Sequence, residues 1–187
     1  MKQNWKAGNL LNPTPVVMLS CGLPGEKPNI ITLAWVGTVC SEPPMLSVSI
    51  RKERFSHRIV KESGEFVVHL VPAALTKACD FCGVRSGRDL DKFQTLGLTA
   101  EKAPNLTQAP LIAECPVNLE CRVEQVLELG SHDMFIGRIV GVQVDDALLD
   151  EKGALQLDRA DLIVYSHGEY FRLGDLLGRF GYSVKKK

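Results

Sequence analysis

The sequence predicts a mainly β domain: an antiparallel barrel of about six strands with helices inserted between them. Three observations lead there. Apolar, β-branched runs recur along the 187 residues, with long ones at 117–129 and 134–144. Several successive runs are joined by short turns, without the crossover helix that a parallel sheet needs. The run at 45–50 alternates, with Leu46, Val48 and Ile50 on one face and Ser47, Ser49 and Arg51 on the other.

Taken in order, 15–21 reads as the first strand and 22–28 as its turn, rich in Gly and Pro. The second strand covers 29–36. Ser41-Glu42-Pro43-Pro44 turns the chain into the third, 45–50. A helix follows at 56–63, with Ser56 as its expected N-cap and Gly64 closing it. The fourth strand, 65–71, stops at Pro72. Residues 73–81 and 88–96 read as helices, and 100–116 as an irregular excursion. Gly130-Ser131-His132-Asp133 makes a tight hairpin between the two long strands. A last strand at 162–166 precedes an aromatic, glycine-rich tail at 170–182, and Lys185, Lys186 and Lys187 read as a frayed end.

The length suits one domain with a sizeable core. Residues are 45% hydrophobic and 24% charged, with a formal net charge of zero, so the chain has no overall attraction to nucleic acid or acidic membrane. No apolar run is long enough to span a bilayer, and the first residues lack a signal-peptide pattern, so a cytoplasmic location is expected. Six cysteines form no compact framework and are expected reduced and buried. Cys79 and Cys82 form a C-x-x-C. With no second pair at matching spacing and no βαβ setting, two buried helical thiols are the better reading than a zinc or dithiol site.

Local charge is another matter. Arg51, Lys52, Arg54, Arg58 and Lys61 face a single acid, Glu53, between 51 and 61. A strand ending in Arg51 and Lys52 leads to Ser56 and the first free N–H groups of a helix. Cations, a hydroxyl and a helix N-terminus at one spot suit a phosphate. No Gly-x-Gly-x-x-Gly follows a strand and no Walker loop is present, which speaks against a dinucleotide fold or a nucleotide hydrolase.

The pattern Asn29-x-x-Thr32-x-Ala34-Trp35, the Pro-Pro turn, the strand ending Ser49-x-Arg51 and the Phe55-Ser56 pair before a helix resemble the flavin reductase-like family, and within it the flavoredoxins. Ser86-Gly87-Arg88-Asp89, Asp91-Lys92-Phe93, Gly130-Ser131-His132 and Tyr170-Phe171-Arg172-Leu173-Gly174 extend the resemblance over nearly the whole chain. His69 stands where many relatives carry Asn. The resemblance implies a six-stranded Greek-key split β-barrel that binds FMN. Arg51, Ser49 and Ser56 would take the phosphate, with Lys52 or Lys92 adding charge. Ser47 and Ser49 would line the ribityl chain. The ring would lie along the backbone of Thr32, Ala34, Trp35, Val36, Gly37 and Thr38, with Trp35 and Phe55 as apolar cover. Asn29 and Ile50 complete the cofactor set, and His132 is the candidate for proton chemistry. Arg58 and Lys61 are left to solvent.

The expected function is electron transfer by a homodimeric FMN protein of flavoredoxin type, with a redox protein as partner. The rival is an NAD(P)H-dependent flavin reductase, and a further one is a non-redox module that holds another phosphorylated ligand.

Overall fold

A computed structural model describes residues 1–184, so the expected frayed end at Lys185–Lys187 lies outside the described residues. Strands β1 (Thr14–Pro15), β2 (Val17–Cys21), β3 (Asn29–Leu33), β4 (Val36–Ser41) and β5 (Pro44–Arg51) precede helix α1 (Phe55–Ser63). Strand β6 (Glu65–Leu70) leads into α2 (Thr76–Val84) and α3 (Lys92–Leu96). After them come β7 (Ala100–Glu101), β8 (Leu111–Ile112), the long hairpin of β9 (Val117–Leu129) and β10 (His132–Val144), then β11 (Ile163–Ser166) and β12 (Glu169–Arg172).

The main sheet has the order β3-β2-β6-β9-β10-β5-β4, all antiparallel. Its two edge strands, β3 and β4, are consecutive in sequence and joined only by Ala34 and Trp35. The sheet therefore curls until its edges meet at that corner, where the Ser49 N–H donates to the Trp35 carbonyl at 2.9 Å. The edges do not pair with each other, which leaves an open antiparallel barrel of the split kind.

Seven strands form this sheet, one more than expected. The extra strand is β4, which starts where the second strand was expected to end: the chain bends at Ala34–Trp35 instead of running straight to 36. The remaining boundaries differ modestly. Residues 88–91 are a turn, and helix α3 starts only at Lys92, with the Asp91 side chain capping it by accepting from the Gln94 N–H. His132 pairs with Leu129, so it is the first residue of β10 and the hairpin loop is only Gly130-Ser131.

The core has two halves. Leu19, Leu46, Val48, Ile50, Phe66 and Phe135 fill the inside of the curl, and Ile59 and Val60 of α1 plug it. The alternation of β5 puts Leu46, Val48 and Ile50 there, as its sequence predicts. On the other face of β2 and β3, Met18 and Ile30 pack with Cys79 and Cys82 of α2 and Phe93 of α3. Gly64 ends α1 at φ 68°, a left-handed conformation that glycine adopts without cost.

The excursion at 100–116 is held by acids that the strands bury. Glu65 accepts the N–H groups of Thr107 and Ala109 at 2.9 and 3.0 Å, and Glu120 accepts that of Asn105 at 2.7 Å. β7 and β8 pair within it.

His69 is fully buried in β6, with Nδ1 against Asn118 Oδ1 and Nε2 2.9 Å from Ser20 Oγ. Burial pushes its pKa from 6.5 down to about 4. Between those values the unfolded chain takes up a proton that the folded chain refuses, so stability is full above about pH 6.5 and falls as pH drops towards 4. At about 1.4 kcal/mol per pH unit the loss is about 3 kcal/mol. His69→Asn should remove this part of the acid sensitivity. Urea midpoints at pH 7 and pH 4 check it, and equal acid losses in both proteins would assign the effect to other groups.

Candidate functional site: a three-part groove at the sheet corner

The free edge of β3 and the start of α1 face each other across a groove. The Ile30 carbonyl points out of the sheet edge and accepts Lys92 Nζ at 2.6 Å. Thr32 lies two residues on, so its backbone N–H and C=O point to the same edge. The groove has three adjoining pockets of about 220, 190 and 310 Å³. The first and second share Ile31 and Arg54, and the second and third share Ala34 and Trp35.

The first pocket is cationic. Arg54, Arg85 and Arg88 stand at its rim, with Ser56, Ser86, Gly87 and Lys92 inside. Among the described residues none of the three arginines is in an ion pair. Arg88 is aimed by two contacts: its guanidinium donates to the Glu53 carbonyl at 3.3 Å and lies over the Phe55 ring, 5.6 Å from its centre. The N–H groups of Phe55 and Ser56 open helix α1 at this pocket. Lys92 is 2% exposed and donates to both Ile30 O and Cys82 O, which joins the two walls. A Cβ at Gly87 would meet the Asn29 side chain, so the turn packs closely against it here. Unpaired guanidiniums, a buried ammonium and helix N–H groups make a donor set that suits a phosphate dianion.

The second pocket runs along Thr32, Leu33, Ala34 and Trp35 and is faced by Ser49, Arg51, His132 and Tyr165. Burial and the nearby Arg51 both push the His132 pKa down, so its imidazole is neutral near pH 7, with Nδ1 2.8 Å from Ser131 Oγ. A neutral imidazole at the groove can take or give a proton. The third pocket continues past the corner along Trp35, Val36, Gly37 and Ser47 to Leu11 of the N-terminal segment.

Most of the residues chosen from sequence do converge. Asn29, Phe55, Ser56 and Lys92 line the first pocket, Thr32, Ala34, Trp35, Ser49, Arg51 and His132 the second, and Val36, Gly37 and Ser47 the third.

Several placements correct the expectation. Arg54, not Ser56, is the N-cap residue of α1, and the Ser56 hydroxyl accepts from Asn29 Nδ2 at 2.8 Å instead of capping. Phe55 lines the first pocket and not the second or third, and its ring lies under the Arg88 guanidinium. Lys52 lines none of the three pockets; it pairs with Asp133 at 3.2 Å. Ile50 is 0% exposed and turned into the core, which leaves only its backbone for a ligand. Thr38 lies on the exposed part of β4 and lines none of the three pockets. Arg51 and Ser49 sit in the second pocket, one step from the phosphate-like end.

Sequence reasoning gave no ligand role to Arg54, Arg85 or Arg88. Arg54 lay in the basic run, and Ser86-Gly87-Arg88 was visible as a motif without a role. Nothing local marks Arg85. Arg58 pairs with Glu26 and Glu62, and Lys61 with Glu128, on the solvent side as expected. Cys79 and Cys82 are buried and free, and burial pushes their pKa values up to about 12 and about 11, which suits inert thiols.

Residues 10–174 match the sequence model of the flavin reductase like domain. The chain belongs to the flavin reductase-like family. Solved structures agree in fold. Flavoredoxin of Desulfovibrio vulgaris (Miyazaki F) is 32% identical with a TM-score of 0.91, covering 99% of this chain and 100% of that one. Flavoredoxin from Methanosarcina acetivorans is 30% identical with a TM-score of 0.87, covering 97% of each chain. An FMN-binding protein from Thermus thermophilus is 26% identical with a TM-score of 0.77, covering 92% and 96%. No helix among the described residues of this flavin reductase-like chain is long and apolar enough to cross a membrane.

Proposed function

We propose that this protein binds FMN along the groove and passes electrons through it, as a carrier of the flavoredoxin kind. One observation carries the FMN reading: a cationic pocket shares wall residues with one along a strand edge, which ends at the apolar corner of Ala34 and Trp35. That is the order of chemistry along FMN, from phosphate through ribityl to ring. The name of the Thermus relative and the family membership support the choice of FMN. Arg54, Arg88, Lys92 and the first N–H groups of α1 hold the phosphate. Ser49 serves the ribityl chain, and the backbone edge from Thr32 to Trp35 takes the polar side of the ring.

Bound FMN supplies reversible one- and two-electron chemistry, and the protein tunes and orients it. Backbone N–H groups at the β3 edge favour negative charge on the ring, as does Arg51 in the same pocket. His132 holds a proton on its imidazole within that pocket. The expected check is a yellow protein whose released cofactor is FMN; a colourless protein that takes up no FMN would overturn the reading.

The carrier reading rests on the third pocket. It lies where a second ligand would approach the ring, and it has no charged side chain. A pyridine dinucleotide brings phosphates that this pocket has nothing to hold. Anaerobic stopped-flow mixing should show reduction by NADH or NADPH slower than about 1 per second, below ordinary enzyme rates. Fast, saturable reduction by either would make the protein a reductase.

We also propose a homodimer. Trp5, Leu176, Leu177 and Phe180 are largely exposed, on terminal segments that make few contacts with the rest of the chain. Tyr170 is different: it donates to Asp80 and belongs to its own domain. Light scattering at micromolar concentration should give twice the chain mass, and a monomer would remove this part.

A further inference from the structure

Strand β10 turns Asp133 and Phe135 into the barrel, in register with Ile50 and Val48 of β5. Phe135, Ile50 and Val48 are core residues, as this inward row requires. Asp133 breaks the pattern: it is a carboxylate, 1% exposed, where the row meets helix α1. Burying a carboxylate is costly, and an apolar side chain would serve stability here about as well as a paired one.

Its two oxygens take different partners. Oδ2 lies 2.8 Å from His57 Nε2, and an ionised carboxylate only accepts, so that nitrogen carries the proton. Oδ1 faces the Lys52 ammonium at 3.2 Å, an ion pair without hydrogen-bond alignment. Desolvation opposes the charge, but the two contacts outweigh it and hold the Asp133 pKa below its ordinary value. His57 in turn packs edge-on against Phe135, 5.4 Å between ring centres.

Lys52 and His57 bracket Arg54 in the chain. Between them the Arg54 N–H donates to Arg51 O and the His57 N–H to Arg54 O, both at 3.0 Å. Asp133 therefore grips, on both sides of Arg54, the segment that presents this arginine and the N–H groups of Phe55 and Ser56 to the first pocket.

We propose that Asp133 is the positioning residue of the phosphate site. Through Lys52 and His57 it fixes the Arg54 turn and the first turn of α1 in the orientation that receives a phosphate. This rests on the phosphate assignment of the first pocket within the FMN reading. Coulomb attraction alone gives the opposite sign: removing a negative charge beside an anion site, and freeing Lys52, would tighten phosphate binding. A loss of phosphate affinity without Asp133 therefore reports geometry.

Asp133→Ala should weaken FMN about tenfold, the size of one charge-assisted hydrogen bond put out of line, and riboflavin by less than about twofold. Asp133→Asn keeps the acceptor for His57 and should recover most of the loss. His57→Phe keeps a ring against Phe135 but loses the donor. It should show the same phosphate-selective loss, and it carries the test if the alanine variant does not fold. In flavin-free protein, inorganic phosphate should shift the NMR amide signals of Phe55 and Ser56, and at equal concentration shift them less in the two weakened variants. Unchanged or tighter phosphate and FMN binding in a folded Asp133→Ala or His57→Phe would overturn the proposal. So would equal losses of FMN and riboflavin, no recovery in Asp133→Asn, or parent amides that ignore phosphate. A parent that answers to phosphate but takes up no flavin would remove the FMN reading and leave this one standing.

Discussion

Replacing Arg54 and Arg88 together by alanine is expected to weaken FMN binding about 100-fold while changing riboflavin by less than about threefold. The estimate takes the low end of a charge-assisted hydrogen bond, about 1.5 kcal/mol, for each guanidinium, because both stand exposed at the rim. Two such losses come to about 3 kcal/mol, and about 1.4 kcal/mol is a factor of ten. Riboflavin lacks the phosphate, so it has little to lose at this pocket. Arg51→Ala should behave differently. Arg51 lines the second pocket and contacts Glu53 at 3.4 Å, so its loss should weaken both flavins to a similar, smaller degree. Flavin fluorescence titrations of the three proteins separate these outcomes. Equal losses of FMN and riboflavin in the double variant would show that the cationic pocket does not read the phosphate.

The contrast between Arg51 and Arg54 marks where the sequence could be read and where it could not. Strand β5 was legible because its alternation has one solution: the apolar set must face the core, so Ser47, Ser49 and Arg51 face the other way. The bend at Ala34–Trp35 was not, since a β-rich stretch looks the same whether it runs straight or turns a corner to start a new strand. That bend creates the groove. The start of α1 was misplaced because a serine before an apolar run is the usual cap, yet a buried Asn29 claims the Ser56 hydroxyl. The cationic pocket takes arginines from two segments, the start of α1 and the turn after α2, which only the fold brings together. Tyr165 reaches the groove from β11, far along the chain. Contacts at such separation leave no local pattern.

Lys92→Met is expected to lower stability by about 2–4 kcal/mol and to lower FMN affinity as well. The Lys92 ammonium is buried and bonds Ile30 O at 2.6 Å and Cys82 O at 2.8 Å, so it pins the open edge of β3 to the last turn of α2. Methionine matches the shape but strands two carbonyls, at about 1–3 kcal/mol each, offset in part because no charge is then buried. The ammonium at the C-terminal end of α2 also meets the negative end of that helix. Burial pushes the Lys92 pKa below its ordinary value. In the window between the folded and unfolded values the unfolded chain binds more protons, so raising pH stabilises the fold there. A phosphate dianion in the pocket acts the other way, since it favours the protonated amine. FMN binding should then draw a proton onto Lys92, and FMN affinity should fall as pH rises through the pKa of the free protein. Lys92→Met should bind FMN more weakly and without that pH dependence. Titrations from about pH 7 to about pH 9.5, run beside riboflavin to remove effects on the ring, test both parts. If the variant kept full FMN affinity with an unchanged pH slope, Lys92 would be a structural tie alone, and the phosphate would be held by the arginines and helix N–H groups without it.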